Sequence, residues 1–138
     1  MLDASITLAW CFKDRATPLA EGALERLVDE QALVPELWPF EVANVLVLAE
    51  RRGRISQAQA YRFVQLLGRL PISVEELGRE TILGRVLTLA QTSGLTAYDA
   101  AYLALAAEAG VPLATTDEPL RQAALRVGVE LLLPADPK

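Results

Sequence analysis

Short apolar or β-branched runs alternate along this chain with longer segments that carry helix start and stop signals, and that alternation predicts an α/β fold. Leu19 to Glu30 follows Thr17-Pro18, with proline at the first helical position. Trp38 to Arg52 opens beside Pro39 and ends before Gly53, and Ser56 to Leu70 starts on a serine cap and stops before Pro71. Leu77 to Thr92 ends before Gly94, Ala97 to Ala109 before Gly110, and Glu118 to Val127 before Gly128. Between the helices lie Ala32-Leu33-Val34, Ile72-Ser73-Val74, Pro112 to Thr115 and Val129 to Leu133, with Met1-Leu2-Asp3 reading as the tail of a further strand. Short buried strands alternating with helices suggest a parallel sheet covered on both faces. Ligands in such sheets bind beyond the carboxyl ends of the strands, so chemistry is expected where a strand runs into the next helix.

The 138 residues contain no internal repeat, low-complexity tract or linker and are expected to form one domain, 1–138. An apolar share of 52% beside 22% charged residues suggests that a partner covers part of the surface. Cys11 is the only cysteine, which leaves no disulfide framework, and the absence of histidine removes Ser/His/Asp hydrolysis, Cys/His proteolysis and His-ligated zinc. The apolar stretch Ala97 to Val111 is interrupted by Asp99 and Glu108 and is too short for a bilayer, which needs ~20 residues. With no secretory leader visible, a cytoplasmic address and no membrane partner are expected. The net charge of −5 stands against a nucleic-acid partner, because such binders usually carry a basic face. A carboxylate cluster that binds a cation would account for part of that charge. Arg51, Arg52 and Arg54 gather where they could touch phosphates, or they merely sit at a helix C-terminus.

Four acids occupy the expected places. Asp3 follows the first strand remnant, Asp117 follows the strand that ends in Thr115-Thr116, and Asp99 lies in the first turn of a nearly all-apolar helix. Glu41 lies in the first turn of the helix after Ala32–Val34, with Asn44 one turn on and on the same face. Each has an ordinary role available: Asp3 and Asp117 as N-caps, Thr96 to Asp99 as a capping box, Glu41 as a charge complementing the helix dipole. Jointly they pose a different problem. Two carboxylates ~5 Å apart repel by roughly 3 kcal/mol at an effective dielectric near 20. The chain offers no histidine, and its only lysines are Lys13 and Lys138. A divalent cation is the simplest resolution, and oxygen-only ligands suit Mg²⁺ or Mn²⁺.

Four blocks then become recognisable: Leu2-Asp3-Ala4-Ser5 with Trp10 downstream, Pro39 to Leu46, Tyr98 to Ala106, and Pro112 to Leu120. In this order and spacing they resemble the PIN-domain family, and within it the VapC-type toxins of toxin–antitoxin pairs, from Met1 to about Leu133. The resemblance implies a three-layer α/β/α sandwich around a parallel sheet of about five strands. It implies a metal site, for one or two Mg²⁺ or Mn²⁺ ions, built by Asp3, Glu41, Asp99 and Asp117. Ser5 and Thr115 or Thr116 would support that site, and Asn44 would orient a carboxylate. It also implies an RNA substrate, a homodimer, and a cognate antitoxin that covers the groove. Only Met1 and Leu2 precede Asp3, fewer strand residues than the family usually carries, so either the first strand is short or the start lies upstream.

The resemblance implies metal-dependent endoribonuclease activity, and with no histidine as base the ion is expected to generate the nucleophile. A phospho-acceptor receiver domain would need a late lysine, and a haloacid-dehalogenase-like phosphatase an aspartate where Ser5 stands. A catalytically idle PIN-like module acting through protein or RNA partners is the other alternative, although such a module would normally have lost one acid. Tyr98, Tyr102, Trp10 and Trp38 could stack bases or fill the core.

Overall fold

The structure, a computed structural model, describes residues 1–134; residues 135–138, the end of the expected domain, lie outside the described residues. Strands β1 (Ala32–Pro35) and β2 (Ile72–Glu75) pair in parallel, with Ala32 opposite Ile72 and Pro35 opposite Glu75. Beyond β1 the Leu2 N–H donates to the Leu33 carbonyl (2.9 Å). Asp3 N–H donates to the Ala114 carbonyl (3.0 Å) and Ala114 N–H to the Met1 carbonyl (2.9 Å). Leu113 N–H then donates to the Glu130 carbonyl (2.8 Å) and Leu132 N–H to the Leu113 carbonyl (2.9 Å). The parallel order across these segments is therefore β2, β1, the Met1–Asp3 segment, the Leu113–Ala114 segment and the segment at Leu131. Where about five strands were expected, the structure has two strands and three segments joined by isolated bridges. Pro112 and Pro134 carry no N–H and bound the outer segments, which keeps their pairing short.

Eight α-helices and one 3₁₀ turn accompany these segments among the described residues, and most follow the sequence signals. They are α1 (Ala4–Ala9), α2 (Pro18–Arg26), α3 (Trp38–Arg51), α4 (Gln57–Gly68), α5 (Arg79–Thr81), α6 (Leu87–Ser93), α7 (Ala97–Ala109), α8 (Glu118–Val127) and a short 3₁₀ turn at Lys13–Arg15. Ser56 caps α4 through a complete capping box with Gln59. Gly110 (φ 66°) and Gly128 (φ 80°) end α7 and α8 in left-handed conformations that a side chain would resist. Two expectations shift. Helix α2 stops at Arg26 rather than Glu30, because Val28 and Asp29 N–H groups turn to the Glu25 and Arg26 carbonyls in tight i−3 bonds. The expected helix from Leu77 starts only after Gly78 (φ 82°) and contains a π turn, Ile82–Val86, between α5 and α6.

Helix α7 organises the interior. Ala100 through Ala106 are all buried, so it is packed on every side rather than along one stripe. Tyr102, Leu103, Leu105 and Ala106 join Ile6, Leu8, Val34, Val42, Leu113 and Leu120 in the main core, while Ala100, Ala101 and Ala104 pack with Val86 and Ala90 in a second cluster. Buried in the same region, the Trp38 indole N–H donates to Thr7 Oγ1 at 2.9 Å and ties α1 to the start of α3. Thr7→Val keeps the shape and strands that N–H. It is expected to lower stability by about 1–3 kcal/mol in urea unfolding followed by tryptophan fluorescence. An unchanged unfolding midpoint would contradict this role.

Candidate functional site

The Met1–Asp3 segment lies where the parallel order reverses: β1 and β2 follow on one side, the two later segments on the other. A crevice forms at such a switch point, beyond the carboxyl ends of the strands. Asp3 stands there and leads into α1, and the neighbouring segment delivers Thr115 and Asp117 to the same end. Glu41 and Asp99 arrive in the first turns of α3 and α7. All four acids thus sit at helix N-termini, where backbone dipoles favour negative charge.

Asp3 is 6% exposed and its side chain does not cap α1. Instead Ser5 Oγ and Thr115 Oγ1 each donate to Asp3 Oδ2 at 2.7 Å. The two hydroxyls are themselves held, Ser5 Oγ by the Thr116 N–H (3.2 Å) and Thr115 Oγ1 by the Asp117 N–H (3.0 Å). Both donors use one oxygen, and neither claims Asp3 Oδ1. Asp117 does cap α8, its Oδ2 accepting from Leu120 N–H at 3.1 Å. Thr96 Oγ1 caps α7 by accepting from Asp99 N–H at 3.2 Å. Glu41 Oε1 accepts from the Tyr102 phenol at 2.6 Å.

Burial raises the Asp3 carboxyl above its ordinary value, and the nearby Asp117 charge adds to the effect against the lowering influence of Thr115, Ser5 and the Ala4 amide. Glu41 is raised first by burial, then by the charges of Asp3 and Asp99, with the Tyr102 hydrogen bond opposing. Asp99 is raised by burial and by Asp117 and Asp3, and the Thr96 hydroxyl relieves it in part. The acids therefore feel one another, yet no ion pair among the described residues includes any of them. Arg121, the arginine closest in the chain to Asp117, lies beside Glu118 (3.7 Å) and the Thr115 carbonyl (3.5 Å).

This donor set fits a hard divalent cation. It is all oxygen, partly desolvated, mutually repelling and without a basic partner among the described residues. The acids do not close into a ready cage: among the described residues no three such side chains are grouped tightly enough to hold an ion as they stand. Mg²⁺ accepts that looseness, because it keeps several waters and needs only one or two direct carboxylates.

The other expected residues separate. Ser5 and Thr115 act through side-chain hydroxyls and Thr116 through its backbone N–H. Asn44 is exposed and makes no side-chain hydrogen bond among the described residues; the group that meets Glu41 is Tyr102, three residues beyond Asp99 on one face of α7. That i, i+3 spacing was visible in the sequence, but its partner on α3 was not. Arg54 is engaged by Asp14 (3.2 Å) and lies over the Phe12 ring (4.8 Å), leaving Arg51 and Arg52 exposed. Among the aromatics, Trp10 and Trp38 donate their N–H groups inward and Tyr102 is buried, whereas Tyr98 is 67% exposed. Phe40, 82% exposed beside Glu41, was missed because an apolar residue near a helix start reads as core.

Comparisons with known proteins converge. A family model described as PIN domain matches residues 1–125. The chain is 30% identical over 122 residues to Ribonuclease VapC3 of Pyrobaculum aerophilum, covering 88% of this chain and 92% of that protein. It is also similar to the crystal structure of PAE2754 from Pyrobaculum aerophilum, with a TM-score of 0.68 and 26% identity over 88% of this chain and 82% of that one.

The raised Asp3 carboxyl has a consequence for stability. The folded state binds this proton more tightly than the unfolded chain, so stability falls as pH rises from the ordinary value of 3.8 through the raised one. Asp3→Asn removes that penalty and retains an acceptor for both hydroxyls. In chelator at about pH 7 the variant is expected to melt above the wild type, the gap closing as pH falls towards about 4. Circular-dichroism melts across that range check this, and a variant that melts no higher at neutral pH contradicts it.

Proposed function

This chain belongs to the PIN-domain family, and on that premise we propose that it is an Mg²⁺- or Mn²⁺-dependent endoribonuclease, the VapC-type toxin of a type II toxin–antitoxin pair. The observation that carries the reading is the gathering of Asp3, Glu41, Asp99 and Asp117 at helix starts beyond the parallel segments, where none of them is ion-paired among the described residues. The similar protein VapC3 is named a ribonuclease.

Asp3, Asp99 and Asp117 lead in holding one or two ions. Asp3 presents Oδ1 because Ser5 and Thr115 occupy Oδ2, and Asp117 presents the oxygen that its cap does not use. Glu41 binds directly or through water, or takes the proton of the attacking water, a task its raised pKa suits. When bound, the ion supplies a water of lowered pKa and stabilises charge on the phosphate. Tyr98 and Phe40, exposed beside Asp99 and Glu41, offer unpaired bases a stacking surface, and Arg51 and Arg52 are free to meet phosphates.

The rest of the reading follows the family. The five parallel segments form the middle layer of an α/β/α sandwich in one domain, 1–138. The protein is a cytoplasmic homodimer whose groove a cognate antitoxin covers. No helix among the described residues is long and apolar enough to cross a membrane. Exposed apolar side chains such as Phe40, Leu83 and Leu87 support a covering partner. A catalytically idle module is the second reading, favoured by the lack of a closed cage among the described residues.

Incubation with mixed RNA, with and without chelator, separates the two. Cleavage is expected only with Mg²⁺ or Mn²⁺, and Asp3→Asn or Asp99→Asn is expected to lower it by roughly 100-fold or more with an unchanged circular-dichroism spectrum. Full activity in either variant would sink the assignment.

A further inference from the structure

Tyr102 stands outside the four-acid set, yet it makes the shortest hydrogen bond in the neighbourhood. Its side chain is wholly buried, and its phenol O–H donates to Glu41 Oε1 at 2.6 Å across the gap between α7 and α3. Asp99 lies one turn earlier on the same face of α7, so one helix supplies an acid and, through the phenol, a hold on a second acid. A glutamate has three rotatable side-chain bonds, and a half-buried one at a helix start would sample several rotamers. Among the described residues the Tyr102 bond is the only side-chain hydrogen bond that Glu41 makes. The ring that delivers it is locked by the packing of a helix buried from Ala100 to Ala106.

We infer that Tyr102 is a positioning residue for cation binding: it occupies Glu41 Oε1, fixes the carboxylate plane, and leaves Oε2 directed to a divalent ion or to the ion's water. The inference rests on the metal reading given above and extends it to a residue that touches neither ion nor substrate. Second-layer hydrogen bonds of this kind set ligand orientation, and their loss weakens metal binding roughly 10- to 100-fold. Phenylalanine at this position would preserve the ring's packing and remove only the donor.

The test measures Mn²⁺ binding to RNA-free protein by electron paramagnetic resonance of the free ion. The proteins compared are wild type, Y102F, E41Q and the double variant. Y102F is expected to weaken binding roughly 10-fold. In the E41Q background the same change is expected to have no further effect, because Tyr102 acts only through the Glu41 carboxylate. A second measurement does not depend on the folding of Y102F. In a Y61F/Y98F background Tyr102 is the sole tyrosine, and Mg²⁺ is expected to shift its ultraviolet band, a shift that E41Q abolishes. Y102F binding Mn²⁺ as the wild type does, or losing the same factor with and without E41Q, overturns the inference while the metal reading stands. So does a phenol band indifferent to Mg²⁺ in a protein that binds Mn²⁺. A wild type that binds no Mn²⁺ overturns both.

Discussion

The backbone of Met1–Asp3 threads between β1 and the Leu113–Ala114 segment, donating one hydrogen bond to the Leu33 carbonyl on one side and exchanging two with Ala114 on the other. Much of the molecule's organisation depends on this short central piece. It joins the two halves of the parallel arrangement, and it carries a carboxylate into a position 6% exposed to solvent. A buried carboxylate is tolerated only when hydrogen-bonded, and two hydroxyls, Ser5 of α1 and Thr115 of the neighbouring segment, meet that need on a single oxygen. The backbone N–H groups of Thr116 and Asp117 orient those hydroxyls in turn, so the start of α8 is docked against the start of α1 through one aspartate.

Around that aspartate the fold gathers like charges. Three of the acids have carboxyls raised by burial and by one another, which means the native state tolerates an electrostatic penalty at this end of the segments. Four helix N-termini, two hydroxyls and one phenol offset it in part. Strain of this kind is expected at functional sites, where an interaction absent from the isolated protein completes the balance. The buried core of α7, tied to α1 and α3 through the main cluster, supplies the rigidity that keeps the carboxylates from moving apart.

Much of this was legible along the chain. Proline, serine and glycine punctuation placed α7 and α8 at their observed bounds and α3 and α4 within a residue or two, because cap chemistry is local. The four acids were singled out along the chain by their positions after strands and at helix starts, and Ser5 and Thr115 by family resemblance; the structure joins both hydroxyls to Asp3. The end of α2 and the π turn at Ile82–Val86 were not legible, since no Gly or Pro marks the first and a single widened turn leaves the helical pattern of the surrounding sequence unchanged. The family resemblance gave Asn44 the role of orienting a carboxylate, yet it is exposed without a side-chain hydrogen bond among the described residues, and Tyr102 meets Glu41 from another helix.

The sequence by itself determined the order of helices and extended segments, the places of the four acids after strands and at helix starts, and the lack of histidine that rules out several hydrolytic mechanisms. These follow from periodicity, capping and residue type, which act over a few positions. Only the tertiary structure decided which atoms meet. Thr115 reaches Asp3 across 112 positions and Tyr102 reaches Glu41 across 61. Such pairings are set by how helices pack against a shared core, and side-chain direction at that range is a property of the packing rather than of neighbouring residues.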